Sequence, residues 1–187
     1  MKIALTGSHG TGKTTLIRFL GEQLQLPPSA MCREVPRVII EKVQDDTFFR
    51  RGNNTPLRQM LLFFYQVMEE QNLQQGADLV LSDRTVVDHL AYTGVLFPEF
   101  KRTEEYRAAM EGVHNWLPSY DAIFKIPIEF PVLDDGVREG EAAFQAEIDG
   151  AIDGLYHDAG IETIRVGGSV RERADLIFGY LKRSGAI

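Results

Sequence analysis

The most constraining feature of the chain is Gly7-x-x-x-x-Gly12-Lys13-Thr14, which follows the apolar run Ile3-Ala4-Leu5 almost directly. A short apolar run of this kind suits a buried central strand. From Lys13 onward, Leu16, Ile17, Leu20 and Leu24 recur at helical spacing. Strand, glycine-rich loop and helix start therefore come in the order that a phosphate-binding loop requires. Gly7, Gly10 and Gly12 let the backbone curl so that successive N–H groups face phosphate oxygens. The helix N-terminus adds partial positive charge. Lys13 would neutralise the β- and γ-phosphates, and the Thr14 hydroxyl would sit on Mg²⁺. The candidate nucleotide-binding residues are thus Gly7, Gly10, Thr11, Gly12, Lys13, Thr14 and Thr15.

Composition narrows the setting. The 187 residues suffice for one full core and are expected to form one domain over 1–187. Twenty Lys+Arg against 27 Asp+Glu give a net charge of -7, which argues against a nucleic acid or an anionic membrane as partner. Cys32 is the single cysteine, so no intramolecular disulfide forms. The apolar run after Met1-Lys2 is too short for a signal peptide or a membrane span, and the expected location is cytoplasmic.

Strand-like and helix-like segments alternate along the chain with no linker or repeat. Strands are expected at Ile3–Leu5, Ala30–Val35, Leu79–Asp83, Asp121–Ile126 and Ile161–Val166. Val38–Val43 reads as a short helix. Thr55-Pro56 offers an N-cap and a first-turn proline for a helix carrying Leu57, Met60, Leu61, Phe64, Val67 and Met68. Thr85 with Asp88, and Ser169 with Glu172, have capping-box spacing. Repeated βα units predict an α/β, three-layer P-loop NTPase fold: a five-stranded parallel sheet with helices on both faces.

Ligands of open α/β sheets bind beyond the carboxyl ends of the strands, so the polar residues ending each strand are the candidates. Asp83, after Leu79–Ser82, is placed to hold Mg²⁺ with Thr14. Arg84 could take a transferring phosphate. Glu34 is the candidate base, or a ligand of a sugar hydroxyl. Arg33, Arg37 and Arg58 are candidates for an acceptor's phosphate. Phe63 and Gln66, on the helix after Thr55, are candidates to stack on and read a base. Arg138, in the Gly/Asp-rich stretch with Asp134 and Asp135, is a candidate phosphate-binding residue of a closing lid. His9 is expected to line the cleft without a catalytic role, and Cys32 to be buried.

The chain resembles the P-loop nucleoside and nucleotide kinases. Val80 to Gly94, with Asp83-Arg84 and Ala91-Tyr92, is similar to the Asp-Arg segment of thymidylate kinases, differing at Thr85 and Thr93. Arg33-Glu34-Val35-Pro36 is similar to their Arg-Glu-Pro segment, and Val67 stands where their helix arginine falls. The whole chain is more similar to the AAA-type domain related to the nicotinamide riboside kinase of NadR. Shared features are Gln59-x-x-Leu-Leu, Asp135-Gly-x-Arg138 and the Val166-Gly-Gly loop.

The resemblance implies that Lys13 and Thr14 hold ATP·Mg²⁺, that Asp83 and Arg84 line the transfer site, and that Arg138 is a lid arginine. It places the 166–171 loop near adenine. The acceptor side is expected over helices at about 36–76, with Glu34, Arg37, Arg58, Phe63, Gln66 and Arg84, and the lid at about 129–140. Lys13, Arg84, Arg138, Glu34 and Asp83 form the expected catalytic set. The expected activity is ATP-dependent phosphoryl transfer to a (deoxy)nucleoside monophosphate. Two alternatives stand beside it: a nucleoside or nicotinamide riboside kinase using Glu34 as base, and an ATP- or GTP-binding switch without acceptor. A small nucleoside or nucleotide is the expected partner, and the oligomeric state stays open between monomer and homodimer.

Overall fold

A computed structural model describes residues 1–49, 53–129 and 141–187. The expected lid residues 130–140, with Asp134, Asp135 and Arg138, lie outside the described residues. Along the chain run β1 (Lys2–Thr6), α1 (Lys13–Gln23), β2 (Met31–Cys32), α2 (Val35–Val43), α3 (Pro56–Gln74), β3 (Val80–Asp83) and α4 (Val86–Leu96). They are followed by α5 (Glu104–Trp116), β4 (Ala122–Lys125), α6 (Glu141–Asp158), β5 (Ile164–Arg165) and α7 (Val170–Arg183).

The five strands form one parallel sheet in the order β2-β3-β1-β4-β5. β1 is central and buried along its whole length, and its Ile3-Ala4-Leu5 run is the apolar stretch that helices on both faces require. One apolar cluster packs α3, α4, α5 and α6 against one face around Ala4, Ile123, Leu90 and Ile152. A second packs α1 and α7 against Ile3, Leu5, Leu81 and Phe124, and a third joins Cys32, Val35, Ile39 and Leu62.

Local signals set several boundaries. The Thr55 hydroxyl accepts from Arg58 N at 3.2 Å and starts α3. Thr85–Asp88 and Ser169–Glu172 each close a capping box. β2 is shorter than expected. The strand ends at Cys32, and Arg33 and Glu34 lead directly into α2, whose first turn contains Pro36. Proline fits a first helical turn and cannot donate to a sheet ladder, so the chain turns helical there. This frees Glu34 from the sheet and directs it to the carboxyl ends of the strands. On its outer side α3 leaves Leu57, Leu61, Phe64 and Met68 exposed.

Candidate active site

The loop between β1 and α1 is held from several directions. Gly7 has φ 140°, and a Cβ there would lie 2.6 Å from the Ile126 carbonyl oxygen, so the loop can approach β4 only with glycine. Gly12 caps α1 in the left-handed region at φ 88°. The Gly7 N–H donates to Asp88 Oδ1 at 3.2 Å, and Thr6 Oγ1 donates to Asp88 Oδ2 at 2.8 Å. The His9 N–H donates to the Tyr92 hydroxyl at 3.0 Å. On the far side Arg173 of α7 donates to the Thr11 carbonyl at 2.7 Å. The Ser8 N–H lies 3.4 Å from Asp149 Oδ1, a carboxylate itself 3.1 Å from buried Lys125.

Lys13, 5% exposed, folds back on the loop, donating to the Ser8 carbonyl and to Thr11 Oγ1. Burial lowers its ammonium to about 7, and nearby Arg84 adds to the effect against Asp88, Asp83 and Glu34. Thr14 Oγ1 donates to Asp83 Oδ2 at 3.0 Å, joining the first turn of α1 to the end of β3. Asp83 Oδ1 is buried without a hydrogen-bond partner among the described residues. Burial raises the Asp83 carboxyl, and Glu34 adds to this against Arg84, Lys13 and Thr14. A hydroxyl and a carboxylate with a spare oxygen fit Mg²⁺, which keeps most of its waters and takes few protein ligands beside phosphate. Thr15 is exposed on the first turn of α1.

Opposite the loop stands Arg84, 7% exposed, with φ 85° in the left-handed region. Its Nη2 and Nε donate to Glu34 Oε1 at 2.8 and 3.1 Å, and its guanidinium lies 5.3 Å from the Tyr92 ring centre. Arg84 Nη1 is 3.6 Å from Asp88 Oδ1, too far for a hydrogen bond, and keeps spare donor capacity. Glu34 Oε2 also meets Arg37 Nε at 2.6 Å. Burial by itself would raise the Glu34 carboxyl, but Arg84, Arg37 and Lys13 outweigh it and hold the group below its usual range. The site is thus a loop of N–H donors, a lysine, a hydroxyl–carboxylate pair and an arginine–glutamate pair across a cleft.

Several expected acceptor residues are placed elsewhere. Arg33 points outward to Glu41 at 2.7 Å, on exposed side chains. Arg58 donates to the Phe48 and Asn53 carbonyls at 2.8 and 2.7 Å and pins the α2–α3 connection rather than an acceptor phosphate. Phe63, 5% exposed, belongs to the core and is not a stacking wall. Gln66, fully buried, binds Glu70, Ser82, the Arg84 carbonyl and His89, so no edge of its amide remains for a base. Helical spacing alone could not separate a cleft-facing side chain from one facing the sheet. Asp88, Tyr92, Asp149 and Arg173 were not singled out as site residues. Of these, Asp88 carries a local signal, its capping box, which accounts for one of its roles, and Tyr92 stands in the Ala91-Tyr92 motif of the family resemblance.

Parallel strands in this order, with the glycine loop leaving the central strand toward Lys13 and Asp83 ending its neighbour, define a P-loop kinase fold. A family model for the AAA domain matches residues 2–173, and the chain belongs to that family. Among solved structures it is similar to a deoxyadenosine kinase from M. mycoides bound to dCMP and dCDP. The identity is 13%, the TM-score 0.69, and 98% of this chain and 100% of that one are covered. It is also similar to thymidylate kinase from Ehrlichia chaffeensis, at 15% identity and TM-score 0.64, covering 97% and 98%. A NadR protein in complex with NR matches at 19% identity and TM-score 0.68, with 98% of this chain on 51% of that one. A search of curated proteins found no matching sequence. No described helix is long and apolar enough to cross a membrane.

Proposed function

We propose that the protein is a phosphotransferase moving the γ-phosphoryl group of ATP to a hydroxyl of a nucleoside or a related riboside. The observation that carries this reading is the Glu34–Arg84 pair, an ionised carboxylate 2.8 Å from the guanidinium, across the cleft from Lys13. Such a carboxylate can accept a hydroxyl proton as the nucleophile attacks. Arg84, whose Nη1 has only the 3.6 Å contact with Asp88, turns to the transferring group. As it does so, Glu34 loses one of its two paired cations and its basicity rises. The loop N–H groups and Lys13 hold the β- and γ-phosphates in line. Thr14 and Asp83 would hold Mg²⁺, which supplies charge neutralisation at the phosphates. Arg138, in the lid at about 129–140, would add a further phosphate ligand.

The sequence favoured a monophosphate acceptor because arginines cluster on that side. Arg33 and Arg58 are occupied elsewhere, which leaves fewer arginines for an acceptor's phosphate. Arg37, more than half exposed beside Glu34, is the observation that favours the monophosphate as a second reading.

Labelled ATP offered to nucleosides, nicotinamide riboside and (deoxy)nucleoside monophosphates decides between them. The expected result is labelled product from a nucleoside or riboside, with Glu34→Gln lowering kcat by about 10²-fold or more. Transfer confined to monophosphates gives the second reading. No transfer to any acceptor, with ATP bound, leaves the nucleotide-binding switch.

The buried lysine has its own consequence. Its folded pKa of about 7 lies below the ordinary 10.5, so between these values the free protein holds Lys13 largely neutral while the unfolded chain binds the proton. The free protein therefore gains stability as pH rises through this window. A bound polyphosphate restores the ammonium. Calorimetric titration with ATP at pH 8.5, in two buffers of different ionisation heat, should show uptake of nearly one proton per site, lost in Lys13→Met. Absence of uptake at this pH contradicts the neutral lysine.

A further inference from the structure

Beneath the cleft runs a buried polar chain that the proposed chemistry does not use. At the end of the sheet away from the cleft, Lys2 Nζ donates to Glu70 Oε2 at 2.8 Å and to Ser119 Oγ at 2.7 Å. Trp116 Nε1 donates to the same Glu70 oxygen at 2.8 Å. Glu70 Oε1 accepts from Tyr120, Ser82 and Gln66 at 2.9, 2.7 and 2.6 Å. Gln66 Nε2 then reaches Ser82 Oγ at 2.8 Å and the Arg84 carbonyl at 3.3 Å. Its Oε1 faces His89 Nε2 at 3.2 Å. Burial first, and Arg84 second, hold the His89 imidazole down at about 4, so the ring is neutral and donates to Gln66. Lys2, Glu70, Gln66 and Ser82 are completely buried.

A buried ion pair contributes little net stability compared with apolar side chains of the same volume, so its presence suggests a positional role. The chain ends on the backbone of Arg84, the residue whose left-handed φ of 85° needs support from its surroundings. The Arg84 N–H is fixed by the Leu5 carbonyl at 2.9 Å, and its carbonyl by Gln66. With both groups held, the direction in which the side chain leaves the backbone is set. We propose that Gln66, oriented by Glu70, Ser82 and His89, is a positioning residue that fixes Arg84 so that its guanidinium enters the cleft beside Glu34. This rests on the phosphotransferase reading for its effect on rate, but not for its effect on Arg84 itself.

The test uses Gln66→Met, which keeps the length of the side chain and removes its donors. The first readout needs no acceptor: hydrogen exchange of the Arg84 Nε–H, identified by its loss in Arg84→Lys. In the wild type this proton is bound to Glu34 and buried, and its protection should fall about tenfold or more in Gln66→Met. Unchanged protection overturns the proposal. The second readout is kcat with the acceptor found above, measured in the wild-type and Arg84→Ala backgrounds. Gln66→Met should lower kcat about tenfold in the first, with KM for ATP changed less than about twofold, and have no effect in the second. Equal losses in both backgrounds mean a structural role and overturn the proposal. If Gln66→Met does not fold, Ser82→Ala, which removes one partner of the amide, replaces it under the same two criteria. Failure of transfer to every acceptor would sink the phosphotransferase reading and leave the exchange result to decide on Gln66.

Discussion

Arg84→Ala is expected to lower kcat for phosphoryl transfer by about 10³-fold, the scale on which an arginine at the transferring group acts. Its guanidinium is bound to Glu34 beside the cleft, and its Nη1, 3.6 Å from Asp88, makes no hydrogen bond among the described residues. Arg84→Gly should lose the same activity, since it lacks the same group. The two variants should differ in stability. Arg84 stands at φ 85°, where a residue with a Cβ costs about 1–2 kcal/mol and glycine does not. Urea unfolding should therefore find the glycine variant more stable than the alanine variant by about 1 kcal/mol. Near-wild-type turnover in either variant would remove Arg84 from the mechanism. An alanine variant as stable as the glycine one would mean that the backbone at this position is not left-handed in solution.

Glu70→Leu is expected to cost about 3–5 kcal/mol, a fall of roughly 10 °C in Tm for a chain of this size. The Glu70 carboxylate accepts from Lys2, Trp116, Tyr120, Ser82 and Gln66 with no exposure to water. Removing it leaves the Lys2 ammonium buried between Trp116 and Tyr120 without its counter-charge. Burial already lowers the Lys2 pKa, and Glu70 is the chief group opposing that. The double variant Lys2→Met/Glu70→Leu should recover much of the loss, because no unpaired charge then remains. Recovery stays incomplete, since Trp116, Tyr120 and Gln66 still lose an acceptor. A loss below about 1 kcal/mol in Glu70→Leu, by urea unfolding, would show that the pair is not buried in solution.

The parts of the fold legible in the sequence are those whose causes are local. The capping residues Thr55, Thr85 and Ser169 mark helix starts because each hydroxyl binds an N–H two or three residues ahead. The end of β2 falls where two local signals meet: a strand-compatible run and a proline four residues beyond its last paired residue. Pro36 prevailed, and with it Glu34 passed from the sheet into the cleft.

By itself the sequence determined the phosphate-binding loop, the central strand and the pairing of Thr14 with an acidic residue ending another strand. These follow from spacing, from the glycines that a tight loop requires, and from the rule that strand ends carry ligands. The tertiary structure alone decided which of the arginines and α3 side chains face the cleft. Arg33 turned to Glu41 and Arg58 to the Phe48 and Asn53 carbonyls, while Arg84 turned inward to Glu34, fifty residues earlier in the chain. Gln66 went beneath the cleft instead of into it. A charged or amide side chain settles wherever its partner is brought, and those partners come from elements that meet only when the sheet and its helices pack.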